Sequence, residues 1–464
     1  MQRKKLIFLL FLFTGLVINT HAQLLTMKEA IQTGLDNYSS IKAKVNYAKA
    51  ARAYVGQASR DYLPDLSVSA QQNYGTVNGQ TGPAYGYRGL SVASSGPALP
   101  SQSWNAAFGA LYLANINWDF FSFGRAHEKI KVAQTAFDRD ESDVAQEQFQ
   151  QEVRIAAAYL NLLVAQRITR SQQNNLDRAQ VLRNNVVIRV KNGLNAGVDS
   201  SLANAEVSNA VISLTRARDY EQEQASQLAQ LMGIAPLAFI TDTSLIAHIP
   251  SGMYSETAGM VETHPLLQYY KNRISLSDEQ ARYYRTFNYP VFSAFGIYQG
   301  RGSGFDYNYG AQDPNGYSGA YSNGIDPTRV NYLVGIGLVW NLTSPLRVHQ
   351  QVAAQKYISG ALKEEYNLVD QRLRDQLILA GQKIKNALDN YREAPVQVKA
   401  ASDAYLQKSV LYKNGLSNIV DVTQALYALN RAETDRDVAY TNVWQALLLK
   451  AAASGDFTIF INEF

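Results

Sequence analysis

The chain repeats one stretch, Trp118-Asp-Phe-Phe-Ser-Phe-Gly-Arg-Ala-His127, as Trp340-Asn-Leu-Thr-Ser-Pro-Leu-Arg-Val-His349, 222 positions later. The same offset relates Lys191-Asn-Gly-Leu194 to Lys413-Asn-Gly-Leu416, with no insertion or deletion between the two stretches. A repeat that keeps its register over this distance predicts a fold made of two similar halves.

Each repeated tryptophan lies near the end of a run in which apolar and polar residues alternate. These runs cover residues 106–121 and 329–342, and shorter runs at 65–74 and 291–299 precede them. Alternation with a period of two predicts strands. A tilted strand of about ten residues can cross a bilayer, so the sequence predicts four membrane strands, two in each half.

Long helices follow the second strand of each half. No proline lies between Ser122 and Lys191, and a proline-free stretch of about 70 residues permits a helix of about 100 Å. The returning helix has apolar residues at coiled-coil spacing, at Ala203, Val207, Ala210, Leu214 and Ala217. Glycines just past the long helices predict tight turns, which we expect at the same end of the molecule.

The first residues have the features of a secretory signal peptide, assigned to 1–22. Arg3-Lys-Lys5 is followed by an apolar run, and Ala22 is a suitable cleavage residue. Cleavage would remove three cations and no acid, which lowers the net charge from +4 to +1. This balance gives no indication of nucleic-acid binding.

Patterns of catalytic or metal-binding residues are missing from the sequence. It contains no cysteine, and the histidines at 127, 248, 264 and 349 do not have the spacing of metal ligands. We also find no nucleophile elbow and no phosphate-binding loop. The sequence therefore predicts a protein that is not an enzyme, with no cofactor and no metal.

The proposed division into domains follows the repeat. The first repeat covers residues 23–232 and the second covers 263–453. The segment 233–262 and the C-terminal tail 454–464 are expected to form an equatorial belt around the helices. The fold class is thus mixed α and β, with an internal two-fold sequence repeat.

Four membrane strands from one chain cannot close a barrel, and open strand edges are not tolerated in lipid. Two chains would give eight strands and an interior filled by side chains, whereas three chains would give twelve and room for an aqueous lumen. The residues alone do not decide whether two or three chains form the barrel.

The order of these features resembles the TolC-type outer-membrane efflux proteins. The resemblance rests on Leu63-Pro64, on Asn117-Trp-Asp-Phe120 before Gly124-Arg125, and on the two Asn-Gly-Leu turns followed by Val-Asp. It implies a homotrimer in the bacterial outer membrane that shares a twelve-stranded barrel and extends into the periplasm as a coiled-coil helical tunnel. It also implies two partners, a periplasmic adaptor protein and an inner-membrane pump, and surrounding outer-membrane lipid.

The resemblance further implies roles for residues near the second turn. Tyr412, Asp421 and Gln424 match the periplasmic gate, but Gln424 departs from the family's acidic residue and Ser417 from its basic residue. A closed state without that salt bridge is therefore expected. The turn residues Lys191, Asn192, Gly193 and Leu194 and Lys413, Asn414, Gly415 and Leu416 would contact the adaptor.

Other interpretations of these residues remain open. Asp421 can instead be a helix cap, and capping is favoured for its repeat equivalent, Asp199. The implied function is the exit duct of a tripartite efflux or type I secretion system. The alternatives are a stand-alone diffusion porin, which needs no long helices, and a soluble coiled-coil scaffold or adhesin, which needs no alternating strands.

Overall fold

The structure is a computed structural model that describes residues 24–79, 86–87, 90–91, 98–235, 239–243, 248–254, 260–310 and 312–464. The expected signal peptide lies outside the described residues. The chain divides into two compact units, and each contains segments of both repeats. The strand unit comprises Ala48–Asp140 and Lys271–Glu364, and the helix unit comprises the chain up to Tyr47, Glu141–Tyr270 and Glu365–Phe464.

The helices and strands follow one another in the order in which the two repeats predict them. In chain order they are β1 (Leu24–Leu25), α1 (Met27–Asn37), α2 (Ser39–Arg60), β2 (Asp65–Thr76), β3 (Gly86–Tyr87), β4 (Leu90–Ser91), β5 (Ala106–Phe121), α3 (Arg125–Lys191), α4 (Gly197–Met232), β6 (Ile240–Thr241), α5 (Pro265–Arg285), β7 (Val291–Ser303), α6 (Tyr321–Ile325), β8 (Arg329–Val339), α7 (Ser344–Lys413), α8 (Ile419–Ser454) and α9 (Thr458–Ile461). Among the described residues, no helix combines the length and apolar character that a bilayer crossing requires.

The strand unit contains an antiparallel sheet in the order β2-β5-β7-β8. Three strand ends differ from the predicted bounds, and the smallest difference is in β2, which ends at Thr76 rather than at residue 74. The strand β7 continues to Ser303 because its pairing with β5 extends to Gly109. The strand β8 ends at Val339, short of residue 342, because the Asn341 side chain accepts hydrogen bonds from Thr343 and starts the turn into α7.

The two faces of this sheet differ in chemistry. Up to a bulge after Trp118 of β5, the paired register places even-numbered residues of all four strands on one face and odd-numbered residues on the other. The even face is mostly apolar and includes Leu66, Val68, Phe108, Ile116, Trp118, Val334, Ile336 and Leu338. The odd face has most of the polar side chains, including Ser67, Ser69, Gln71, Asn73, Asn115, Asn117, Gln299 and Asn331.

The helix unit is held together by a core around Trp444. This ring packs edge-to-face on Phe460 and lies near Phe464 of the C-terminal tail. On α3 the buried residues include Ile155, Tyr159 and Leu162. The Tyr159 hydroxyl donates to Leu25 O and accepts from Asp242 N, which connects α3 to both segments of the short β1-β6 pair.

Four of the five apolar positions predicted on α4 are buried, namely Ala203, Ala210, Leu214 and Ala217. The long helices α3 and α7 have 67 and 70 residues. The tail and the segment 233–262 also meet, because Glu463 accepts hydrogen bonds from Ser251 and Gly252.

Candidate functional site: the paired helical turns

The turns after α3 and α7 have the same geometry. Gly193 and Gly415 have φ angles of 72° and 73°, in the left-handed region that side chains disfavour. Leu194 N donates to Arg189 O at 2.9 Å, and Leu416 N donates to Leu411 O at 2.8 Å. These are the bonds of a Schellman motif, so both glycines are required by the backbone.

The outer surface of both turns is accessible. Leu194 and Leu416 are 67% and 74% exposed. The lysines, asparagines and glycines of both turns are exposed as well. An exposed leucine surrounded by lysine and asparagine at the end of each hairpin is suited to contact with another protein.

Below the turns, the two hairpins share a small apolar cluster. Its buried members are Leu182, Val186, Ala203, Tyr412, Ile419 and Val422. Tyr412, one of the residues implied in the gate, is only 3% exposed. It is thus a packing residue between the first and second hairpins of one chain.

A polar network surrounds the Tyr412 side chain, and we call Arg189, Asn195, Asp199 and Tyr412 the turn clamp. Asn195 Nδ2 donates to the Tyr412 hydroxyl at 3.0 Å and to Asp199 Oδ2 at 2.7 Å. Arg189 donates to Asn195 Oδ1 at 2.9 Å and to Lys413 O at 2.6 Å. Its guanidinium lies 5.5 Å from the centre of the Tyr412 ring. The clamp therefore connects the end of α7 to the turn after α3.

Burial, followed by the nearby Asp199 carboxylate, raises the pKa of Tyr412, while Arg189 and Asn195 act in the opposite direction. The phenol therefore keeps its proton at neutral pH and remains available for hydrogen bonding.

Asp421 lies in the first turn of α8, but it is not the helix cap. Asn418 is the N-cap, and its side chain accepts from Asp421 N at 2.9 Å. The Asp421 carboxylate instead accepts from Lys408 at 3.1 Å and from Ser417 at 3.0 Å. These bonds, Lys408 first, lower the pKa of Asp421.

The other two residues singled out from the sequence have different surroundings. The expectation that Asp199 caps α4 is wrong for its side chain, since the N-cap position is Ala196 and has no side-chain hydrogen bond. Asp199 accepts from Asn195 instead. Gln424 is exposed one turn further along α8 and has no part in the turn clamp.

Sequence reasoning missed Arg189, Asn195 and Lys408. One signal was available, because the spacing of Asn195 and Asp199 recurs in Ser417 and Asp421, and both pairs form the same kind of bond. Arg189 and Lys408 had no such signal, since their repeat equivalents are Leu411 and Val186.

The helix unit also has a cavity of about 580 Å³ between α3, α7 and α8, lined mainly by asparagine, alanine and leucine. Within the described ranges, no group of three histidine, aspartate or glutamate side chains is placed to hold a metal ion.

Comparison with known proteins agrees with this architecture. Residues 30–234 match the family model described as outer membrane efflux protein. No curated protein matches the sequence.

Several solved structures share the fold over nearly the whole chain. The outer membrane protein VceC from Vibrio cholerae has 15% identity and a TM-score of 0.72, covering 93% of this chain and 96% of that chain. The CmeC outer membrane channel of Campylobacter jejuni has 13% identity and a TM-score of 0.73, and the match covers 92% of this chain and 85% of that chain. The open state of the MtrE outer membrane channel of Neisseria gonorrhoeae has 14% identity and a TM-score of 0.71, and the match covers 93% of this chain and 89% of that chain.

At these identities the solved structures show a shared fold, and the family model adds a sequence match over the first repeat. CmeC and MtrE are outer membrane channels. The resemblance of this chain to the TolC-type outer membrane efflux proteins, which the sequence predicted, is therefore confirmed.

Proposed function

We propose that this chain is one protomer of a trimeric outer-membrane channel, the exit duct of a tripartite efflux or type I secretion system. The observation that supports it most is the two-faced sheet with two open edges. Among the described residues, the edge strands β2 and β8 each pair with one neighbour only. Lipid does not tolerate unpaired backbone groups, so β8 of one chain would pair with β2 of the next.

The chemistry of the sheet fits this arrangement. The apolar even face would contact lipid and the more polar odd face would line the lumen. Trp118 Nε1 donates to Tyr62 O at 2.9 Å, and Trp340 Nε1 donates to Asn288 O at 3.1 Å. Tryptophans that lie next to an apolar surface and whose indole N–H is hydrogen-bonded are typical of the membrane–water interface.

The number of chains follows from the need for a lumen. Two copies of a four-stranded sheet would close a barrel filled by its own side chains, whereas three copies leave an aqueous channel. The trimer is also what the resemblance implies, together with an adaptor protein and an inner-membrane pump that supplies the energy. Conduction through the duct itself is passive, and the protein lies in the outer membrane with its helices in the periplasm.

The turn clamp supports a gate at the helical turns. Tyr412 is held by Asn195 and Arg189 of the first hairpin, and Asp421 is held by Lys408. Breaking these contacts would release the end of the second hairpin. We propose that Tyr412 and Asp421 stabilise the closed state, with Gln424 as an exposed neighbour.

The exposed turns support docking of the adaptor. Leu194 and Leu416 offer apolar contacts, and the surrounding lysines and asparagines offer polar ones. The porin and scaffold alternatives are less well supported. A porin leaves α3, α4, α7 and α8 without a role, and a soluble scaffold does not need the apolar even face.

A complementation experiment tests this function. In a strain that lacks the chain and has become sensitive to exported compounds, the wild-type gene should restore resistance. Gly415→Trp should restore none while the protein reaches the outer membrane as a trimer, because the substituted turn can no longer dock. Full resistance with Gly415→Trp would remove the turn from the docking role, and no complementation by the wild type would contradict the exit-duct function.

A further inference from the structure

The charged residues of the four long strands are distributed in an ordered way. Each strand has one charged residue: Asp65 in β2, Asp119 in β5, Arg301 in β7 and Arg329 in β8. Asp65, Arg301 and Arg329 have register positions on the odd face, and the bond from Ser293 of that face places the Asp119 carboxylate on the same side. The register pairs Asp65 with Asn117 and Arg301 with Arg329, and Asp119 Oδ1 accepts from Ser293 Oγ at 2.5 Å.

The two signs of charge lie at opposite ends of the sheet. Asp65 and Asp119 lie at the end where the strands connect to α2 and α3. Arg301 and Arg329 lie at the other end, where the long segments between strands begin. The first repeat thus supplies only acids to this face and the second supplies only arginines.

Arg301 and Arg329 are directly opposite each other on neighbouring strands. Like charges in this position destabilise a sheet. Both side chains are exposed, and neither forms an ion pair within the described part of the chain. An unfavourable pair without a compensating acid indicates a role other than stability.

Asp326, the acid nearest to Arg329 in the sequence, belongs to a segment that lies on the other face of the sheet. The helix α6 and the residue after it cross the even face, since a Cβ at Gly302 would lie 2.6 Å from Gly324 O and 2.7 Å from Asp326 O. Tyr321 of α6 packs edge-to-face on Phe108 and donates to Gln72, both on the even face. The arginine side chains therefore extend from the opposite side of the sheet.

We propose that Arg301 and Arg329 form an anion-attracting ring at the outer mouth of the channel, two arginines from each protomer. This inference rests on the proposed trimer, in which the odd face lines the lumen and the long loops face outward. Rings of arginine favour anions in pores, and guanidinium groups bind carboxylate and phosphate groups of solutes. The preferred solutes at this mouth are therefore anions.

The acids at the opposite end of the strands add a second property. A duct whose lining carries fixed positive charge near its outer mouth and fixed negative charge further inward accumulates mobile ions at one voltage polarity and is depleted of them at the other. The channel should therefore rectify current. Because the Debye length falls from about 10 Å at 0.1 M salt to about 3 Å at 1 M, both effects should be strongest in dilute salt.

The test uses the purified full-length trimer in planar bilayers under a KCl gradient at low ionic strength. Replacing both residues, in R301Q/R329Q, should shift the reversal potential towards cation preference and abolish or reverse the rectification. The double variant R301K/R329K keeps the charge and should retain the wild-type sign of both readouts. The matched control K49Q/R52Q removes two exposed cations of α2, outside the strands, and should leave both readouts unchanged.

The outcomes separate this inference from the proposed function. If R301Q/R329Q forms a normal trimer and keeps the wild-type reversal potential and current asymmetry, the arginine ring is refuted while the proposed channel is not. An equal shift in K49Q/R52Q would also overturn it, because the effect would then reflect net charge alone. No conductance from the wild-type protein or from Tyr412→Phe, which removes a contact of the turn clamp, would refute the channel itself, and the ring with it.

Discussion

Removing the Tyr412 hydroxyl is predicted to favour the open channel. In Tyr412→Phe the buried ring keeps its packing in the cluster with Val186 and Ile419, while the 3.0 Å bond from Asn195 is lost. Asn195 keeps its bond to Asp199, so no side chain loses all of its partners. The net worth of such a hydrogen bond is about 1 kcal/mol, which corresponds to about a fivefold change in the ratio of closed to open states in each protomer.

The three protomers should amplify this effect. If all three clamps must break together, the factors multiply to about one hundredfold in open probability. Single-channel recording of the trimer in planar bilayers measures this quantity. Tyr391→Phe is a suitable control, because Tyr391 stacks on Tyr440 and its hydroxyl makes no hydrogen bond among the described residues. Wild-type open probability in Tyr412→Phe, with an intact trimer, would refute the role of the turn clamp in gating.

Three further predictions concern stability. Burial lowers the pKa of His264 below 6.5, and its Nδ1 accepts a hydrogen bond from Leu266 N, so the folded state favours the neutral imidazole. The stability that this contributes should be complete above pH 6.5 and be lost as the pH falls through the lower folded-state pKa. His264→Asn should therefore reduce the difference between the unfolding temperatures at pH 7.5 and pH 5. Gly193→Ala and Gly415→Ala should each lower the free energy of unfolding by about 1–2 kcal/mol, because both residues have a positive φ that alanine disfavours. An unchanged denaturant midpoint in chemical unfolding would contradict the strain argument. Trp340→Phe should lower trimer stability by about 1 kcal/mol through loss of its N–H bond, as measured by the temperature at which the trimer dissociates in detergent.

Several features of the fold could be predicted because they depend on local pattern. The alternation that ends at Trp118 and Trp340 is also the alternation of the two sheet faces, since side-chain direction in a strand has a fixed period of two. The proline-free stretch after Ser122 likewise allowed a helix of 67 residues. Gly193 and Gly415 marked the turns because few other residues adopt a positive φ.

Other features depend on contacts between distant segments and were out of reach. The buried side of α3 is one such feature: Val153, Ala157 and Val164 are only half-buried, whereas Ile155 and Tyr159 are fully buried. Burial there is decided by packing against the rest of the helix unit, including the C-terminal tail, which the spacing on α3 alone does not reveal. The break between α1 and α2 is another, since it occurs at Tyr38, whose backbone is extended.

The candidate site was predictable in outline only. Resemblance pointed to Tyr412 and Asp421, and both have specific polar partners in the structure. The partner of Asp421 is Lys408, thirteen residues earlier on the preceding helix. A cation at that distance becomes a neighbour only because α7 and α8 fold back on each other at the turn, and no sequence spacing encodes this.

The central claim, a channel formed by several copies of this chain, is tested most directly by the mass of the detergent-solubilised protein in native mass spectrometry. The open edges of β2 and β8 predict a stable trimer, with three four-stranded sheets joined around one lumen. A stable, folded monomer in detergent would show that the edges are not closed by other copies, and it would contradict the account.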